Sequence, residues 1–196
     1  DLKRLLAYHT VENIGIILLG LGLGMLGITA GNRLMAAFGF AGALLHVLNH
    51  ALFKSLLFLG AGAVLHATST RRLDQLGGLL RTMPVTGRTF LAGSAAIAGL
   101  PPLNGFVSEF LIYYAAFQGL SLGGGNLLLC LFTIVSLALI GGLAAACFTK
   151  VVGMVFLGEP RTEHARQATE VGPSMRAAMV LLTLACLVIG LWPEPV

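Results

Sequence analysis

The sequence predicts an all-α integral membrane protein of about five transmembrane helices, and three observations predict it. Of the 196 residues, 57% are hydrophobic and 10% charged, where a soluble globular chain carries about 25% charged residues. Mean hydropathy is +0.90. The apolar residues fall in runs long enough to cross a bilayer core of about 30 Å, which takes about 20 residues of helix. No run alternates with period two, so strands are excluded. A disordered tail, a coiled coil and a water-soluble domain are excluded by the same balance. The basic residues, 12 against 8 acidic ones, sit in short loops between apolar runs. They form no nucleic-acid footprint, and the partner they imply is the lipid bilayer.

The spans follow in order. The first covers about 13–30, the second 35–66, the third 88–118, the fourth 126–157 and the fifth 175–192. Several exceed the minimum, so tilt or protrusion is expected. Within the first, Gly22-Leu-Gly24-Met-Leu-Gly27 matches a dinucleotide-binding glycine pattern, but no strand precedes it, and helix packing is the reading. Between the spans, the N-terminus and the loops 67–87 and 158–174 share one side. That side holds Lys3, Arg4, Arg71, Arg72, Arg81, Arg88, Lys150, Arg161, Arg166 and Arg176, against Arg33 alone on the other. The asymmetry makes the first side cytoplasmic. The 158–174 segment mixes charges of both signs and reads as a helix or loop lying across the bundle. Cys130, Cys147 and Cys186 are too widely spaced for a metal or redox motif, and neither metal nor cofactor is expected.

Ionisable residues inside a span cost about 2.5–3.5 kcal/mol each on insertion scales, so each needs an account. The second span places His46, His50 and Lys54 at i, i+4 and i+8, along one helical stripe, with Asn49 beside it. Imidazoles titrate near neutral pH in water, and at this spacing the three groups make a ladder of proton carriers. Two satisfied core histidines and a paired lysine would be the plainer account. The third span carries Pro101 and Pro102 near its middle, with Gly99, Asn104 and Gly105 around them. Proline removes backbone donors and clashes with the preceding turn, so this helix should break. An unwound segment at mid-depth survives only when buried in protein or lining a wet cavity. Glu109, preceded by Ser108, stands just past the break, and transporters build ion sites in this way. Glu12 at the mouth of the first span is either a proton-loading group or an interfacial anchor. Lys150, near the cytoplasmic end of the fourth, either snorkels or loads protons.

Three stretches carry a resemblance: DLKRLLAYHTVENIG, LLHVLNHALFKSLLFLGAGAV and LAGSAAIAGLPPLNGFVSEFLIYY. They resemble the antiporter-like membrane subunits of respiratory complex I and its relatives, over nearly the whole chain. The wording AYHTVENIGII and the LPPLNGFVSE break are similar to the hydrogenase-4 and formate hydrogenlyase branch of that family. The resemblance implies two inverted five-helix repeats, of which this chain would be a fragment supplying the second, less its first helix. It matches His46, His50 and Lys54 to a central hydrophilic axis, and Glu109 to the terminal residue on the broken helix. The charged residues of the first repeat would lie upstream.

The expected function is therefore a proton-translocating membrane subunit of a multi-subunit oxidoreductase in a bacterial or archaeal cytoplasmic membrane. Its expected partners are other membrane subunits and, through them, hydrogenase or dehydrogenase and iron–sulfur subunits. An Mrp-type Na⁺/H⁺ antiporter subunit is the first alternative. A structural membrane anchor that no longer conducts is the second.

Overall fold

Asp1 opens the first helix: its carboxylate accepts from the Arg4 amide at 3.0 Å, and α1 runs Leu2–Thr29. A three-residue turn follows, and the Asn32 side chain caps α2 (Arg33–Thr68) by accepting from the Met35 amide at 3.0 Å. After α2 come a 3-10 turn, Leu73–Gln75, and a single helical turn, α3 (Leu79–Thr82). Then α4 (Pro84–Ile97) starts with proline in its first turn, where a missing N–H costs nothing. The helices α5 (Asn104–Gln118), α6 (Gly124–Val155), α7 (Glu163–Arg166) and α8 (Pro173–Leu191) complete the order, with a 3-10 turn at Gly119–Leu122. The computed structural model describes residues 1–193 and has no strand among them.

Four of the five expected spans are single helices. α1, α2, α6 and α8 are long and apolar enough to cross a membrane. The third expected span, 88–118, is broken as its prolines require, into two helices of 14 and 15 residues, α4 and α5, separated by non-helical chain. α1 begins at Leu2 rather than near 13 because its polar first turns still obey helical spacing. Leu2, Leu6, His9, Asn13, Ile16 and Gly20 lie buried along one face, a periodicity that hydropathy alone does not register.

α2 lies at the centre, packed by α1, α4, α5 and α8. Close approach to α1 is what the glycines of both helices provide: a Cβ on Gly39 of α2 would meet the Gly24 amide at 2.5 Å, and one on Gly27 of α1 would run into the Ala36 backbone. Two of the three glycines in the Gly22–Gly27 pattern thus serve α1–α2 packing, while Gly22 has open space. On the other flank, a Cβ on Gly42 would meet Ile112 of α5 at 2.8 Å.

One end of the bundle gathers the starts of α1, α4 and α8 and the ends of α2 and α6. The Leu2 amide donates to Arg71 O at 2.9 Å, and the Gly78 and Leu80 amides donate to Leu157 and Phe156, each at 2.9 Å. Glu170 accepts from the Val85 amide at 2.8 Å and the Thr86 hydroxyl at 2.6 Å, capping α4. Arg161 donates to the carbonyls of Leu76 at 2.6 Å and Met154 at 2.8 Å. The segment 158–174 is therefore a strap with one helical turn, tied down by backbone and side-chain bonds. Nearby, the exposed Arg72 guanidinium donates to Asp74 and holds its carboxyl below the usual range. At the opposite end, Asn32 donates to Gln118 O at 3.0 Å, joining the α1–α2 turn to the end of α5.

A candidate proton site beside the broken helix

The break is built by small and constrained residues. α4 stops at Ile97 and α5 starts at Asn104. Between them Gly99 holds φ +63°, a left-handed value that suits glycine, and Pro101 and Pro102 supply no amide donors. Gly105 backs directly onto the Ala96 carbonyl, and Gly190 of α8 rests on Pro102 O and Leu103. No other residue type leaves room at either contact.

Against this break, α2 presents a buried polar seam. His46, at 1% exposure, sits with Nε2 3.1 Å from Asn13 Oδ1 on α1 and Nδ1 2.9 Å from Ser108 Oγ on α5. Asn13 Nδ2 donates to His9 O at 2.8 Å. Asn49 Nδ2 donates to Asn104 O at 2.8 Å and Ser108 Oγ at 3.0 Å, while Asn104 Nδ2 returns a bond to Asn49 Oδ1 at 3.1 Å. The Asn13 and Asn49 amides are thereby each oriented by a backbone carbonyl, which can only accept.

The rest of the α2 stripe continues toward the strapped end. His50 is half-buried; its Nε2 atom is buried with no protein hydrogen bond, and its ring meets Phe53 edge-on, centroids 5.6 Å apart. Lys54 is 6% exposed. Its ammonium donates to the Leu6 carbonyl on α1 and lies 5.2 Å from the Phe58 ring centroid. In the first turns of α1, His9 Nδ1 approaches Glu12 Oε2 at 2.5 Å and His9 Nε2 lies 3.3 Å from Cys147 Sγ. Those three residues line an open pocket of about 460 Å³ with Asp1, Arg4 and Tyr8.

Glu109 occupies the other face of α5. It is 9% exposed, and a Cβ on Gly99 would meet its Oε2 at 2.6 Å. It looks into a cavity of about 360 Å³ lined by Tyr113, Leu137, Gly141 and Gly142 among others. Among the described residues, no salt bridge reaches it. Adjacent residues on a helix point about 100° apart, so Ser108 faces α2 while Glu109 faces α6.

Of the residues singled out in the sequence, His46, Asn49 and Ser108 are hydrogen-bonded together, and His50 and Lys54 extend their line. Glu109, Pro101, Pro102 and Gly105 surround the break. Glu12 pairs with His9 instead of joining the seam directly, and Lys150 is exposed on α6. His9, Asn13 and Asn104 are seam residues that hydropathy scanning passes over. Their signal was helical spacing: Asn13 follows His9 by four, and Asn104 precedes Ser108 by four, which puts each pair on one face.

Comparison with known proteins bears on the whole arrangement. The family described as NADH:quinone oxidoreductase/Mrp antiporter, transmembrane, matches residues 1–141. Over 205 residues the chain is 46% identical to hydrogenase-4 component B of Escherichia coli (strain K12), covering 100% of this chain and 30% of that protein. It is 48% identical over 192 residues to formate hydrogenlyase subunit 3 of the same organism, covering 97% of this chain and 31% of that one. The chain thus spans about 30% of the length of these curated relatives. Its fold also matches a chain in the structure of the Mrp complex from Dietzia sp. DQ12-45-1b, with a TM-score of 0.76 at 25% identity over 97% of this chain and 40% of that one. With a family match across most of its length, laid over α1, α2, the broken pair and the first part of α6, the chain belongs to the NADH:quinone oxidoreductase/Mrp antiporter family of transmembrane proteins.

Proposed function

We propose that this chain forms a proton-carrying bundle within a longer membrane subunit of a hydrogenase-4 or formate hydrogenlyase type of complex. The observation that carries the reading is the buried seam of His46, Asn49 and Ser108, prolonged by His50 and Lys54, against a broken helix with Glu109 facing a cavity. Charged and polar side chains at such depth are expensive, and a path for charge is what repays the expense. The reading runs from Lys54 through His50 and His46 to Glu109, with water bridging where side chains do not touch. His50 Nε2 and Asn104 Oδ1, both buried without a protein partner, suit such bridging.

The strapped end, with ten of the 12 basic residues, is the cytoplasmic end in this reading. The membrane is that of a bacterium or archaeon, and driving force comes from hydrogenase and iron–sulfur subunits in the same assembly. The relatives at 46% and 48% identity support that setting. The family description and the Mrp-complex match support a second reading, cation–proton exchange without redox chemistry.

The test uses the full-length subunit in its complex in inverted membrane vesicles. Glu109→Gln and Lys54→Ala should each cut proton translocation at least about tenfold, as expected for loss of a positioned acid–base group, with assembly retained. Unchanged translocation in both variants would reject the path. Translocation that persists without any electron donor and follows an imposed Na⁺ gradient would select the exchange reading.

A further inference from the structure

We propose that Ser108 is a hydroxyl rotor that carries the protonation state of His46 to the first turn of the helix bearing Glu109. The proposal rests on the proton path above and deepens it by naming how one station speaks to the next.

The hydrogen-bond inventory leaves little freedom. Asn13 Nδ2 donates to His9 O at 2.8 Å, so its Oδ1, 3.1 Å from His46 Nε2, must accept. Neutral His46 therefore carries its proton on Nε2, and Nδ1 is an acceptor. Asn49 Nδ2 has two protons, and one is committed to Asn104 O at 2.8 Å. Its other proton is given to Ser108 Oγ at 3.0 Å. What remains on Ser108 is one proton and one lone pair. Two acceptors compete for that proton: His46 Nδ1 at 2.9 Å and Gly105 O at 3.1 Å.

With His46 neutral, Ser108 donates to Nδ1. When a proton arrives on Nδ1, that atom becomes a donor and Ser108 Oγ must accept from it. The hydroxyl proton then turns to Gly105 O. Every proton is conserved in this exchange, since Ser108 rotates and transfers nothing. His46, Ser108 and the side chains of Asn13 and Asn49 that bond them are paired in both states, with Ser108, Asn49 and Asn13 at 0% exposure, so the exchange leaves none of these contacts bare.

The receiving end lies at the break. In an α-helix the Gly105 carbonyl is the acceptor for the amide four residues on, which is that of Glu109. Ser108 in its second state therefore competes for the carbonyl that anchors the backbone of Glu109. Gly105 itself is wedged against the Ala96 carbonyl, so a change in its hydrogen bonding bears on both halves of the broken helix. Other ionisable groups lie on α2 and on the helices packed against it. They are His50 and Lys54 on α2, His9 and Glu12 on α1, and Glu109 on α5. Arg88 lies near the start of α4, and Arg176 and Cys186 lie on α8.

The test has two arms, both on the full-length protein. In inverted vesicles holding the intact complex, Ser108→Ala should lower proton translocation per electron about tenfold, because each His46 state loses one buried hydrogen bond. Ser108→Thr, which keeps the hydroxyl, should restore it to within about twofold. A Thr variant as impaired as the Ala variant would overturn the proposal, and so would an unimpaired Ala variant. The second arm is ¹⁵N NMR of histidine-labelled protein in bilayers. Neutral His46 should show an Nε2–H tautomer with a hydrogen-bonded Nδ1, and Ser108→Ala should move only the Nδ1 signal to that of a free acceptor. A proton found on Nδ1 of neutral His46 would overturn the rotor. His46→Gln and Glu109→Gln separate the two levels. If they abolish translocation and Ser108→Ala does not, the rotor fails and the path stands. If neither affects translocation, the path fails, and the NMR arm alone judges the rotor.

Discussion

At the residue scale, the seam turns on which atoms can only accept. Backbone carbonyls of His9 and Asn104 orient the amides of Asn13 and Asn49, and these in turn assign the His46 ring. Asn13→Ala should therefore do more than remove one bond. It leaves Nε2 of His46 without its acceptor, and the neutral ring should then populate both tautomers in the ¹⁵N spectrum. Thermal stability of the purified subunit should fall by about 1–3 kcal/mol, the range for a buried polar group left unpaired. Asn13→Asp keeps an acceptor at that point and should retain the single tautomer. His46, His50 and Lys54 were legible as a stripe because four-residue spacing is a property of the chain. That His46 bonds two helices while Lys54 reaches a second-turn carbonyl of α1 was not, since drift around the helix and the positions of neighbours decide it.

At the element scale, the broken pair α4–α5 is the feature that composition announced most clearly. Pro101, Pro102 and Gly99 cannot continue a helix, and the non-helical chain covers the residues between Ile97 and Asn104 as their chemistry requires. The glycines on either side were legible only as glycines. Gly105 is needed because the Ala96 carbonyl fills the place of its Cβ, and Gly190 because α8 seats on Pro102 and Leu103. Gly105→Ala should push the two halves apart and destabilise the bundle by about 1–3 kcal/mol, an overpacking cost. Thermal unfolding in detergent measures that loss, and a Tm equal to the parent's would count against the wedge. Gly22→Ala, at a position with open space, is the matched control and should leave the Tm unchanged.

For the whole molecule, the strap over one end holds α4 and α8 to the rest. Glu170 caps α4 through the Val85 amide and the Thr86 side chain. Glu170→Ala should cost about 0.5–2 kcal/mol, as capping substitutions do, and should speed proteolysis within 158–174. Orientation is tested by single cysteines in a background without Cys130, Cys147 and Cys186. Glu163→Cys should react with an impermeant maleimide from the cytoplasmic face, and Ser121→Cys from the opposite face. The sequence by itself determined the solvent of this protein, the number of apolar runs and the place where one helix must break. Each depends on hydrophobicity and backbone chemistry that residues carry with them. It also placed the ionisable groups on one stripe of α2. Only the tertiary structure decided that α1 lends Asn13 to His46, that Ser108 and Glu109 face different helices, and that Lys150 is exposed. Those outcomes depend on how far apart helices pack, and that distance is fixed by glycine contacts between segments remote in the chain.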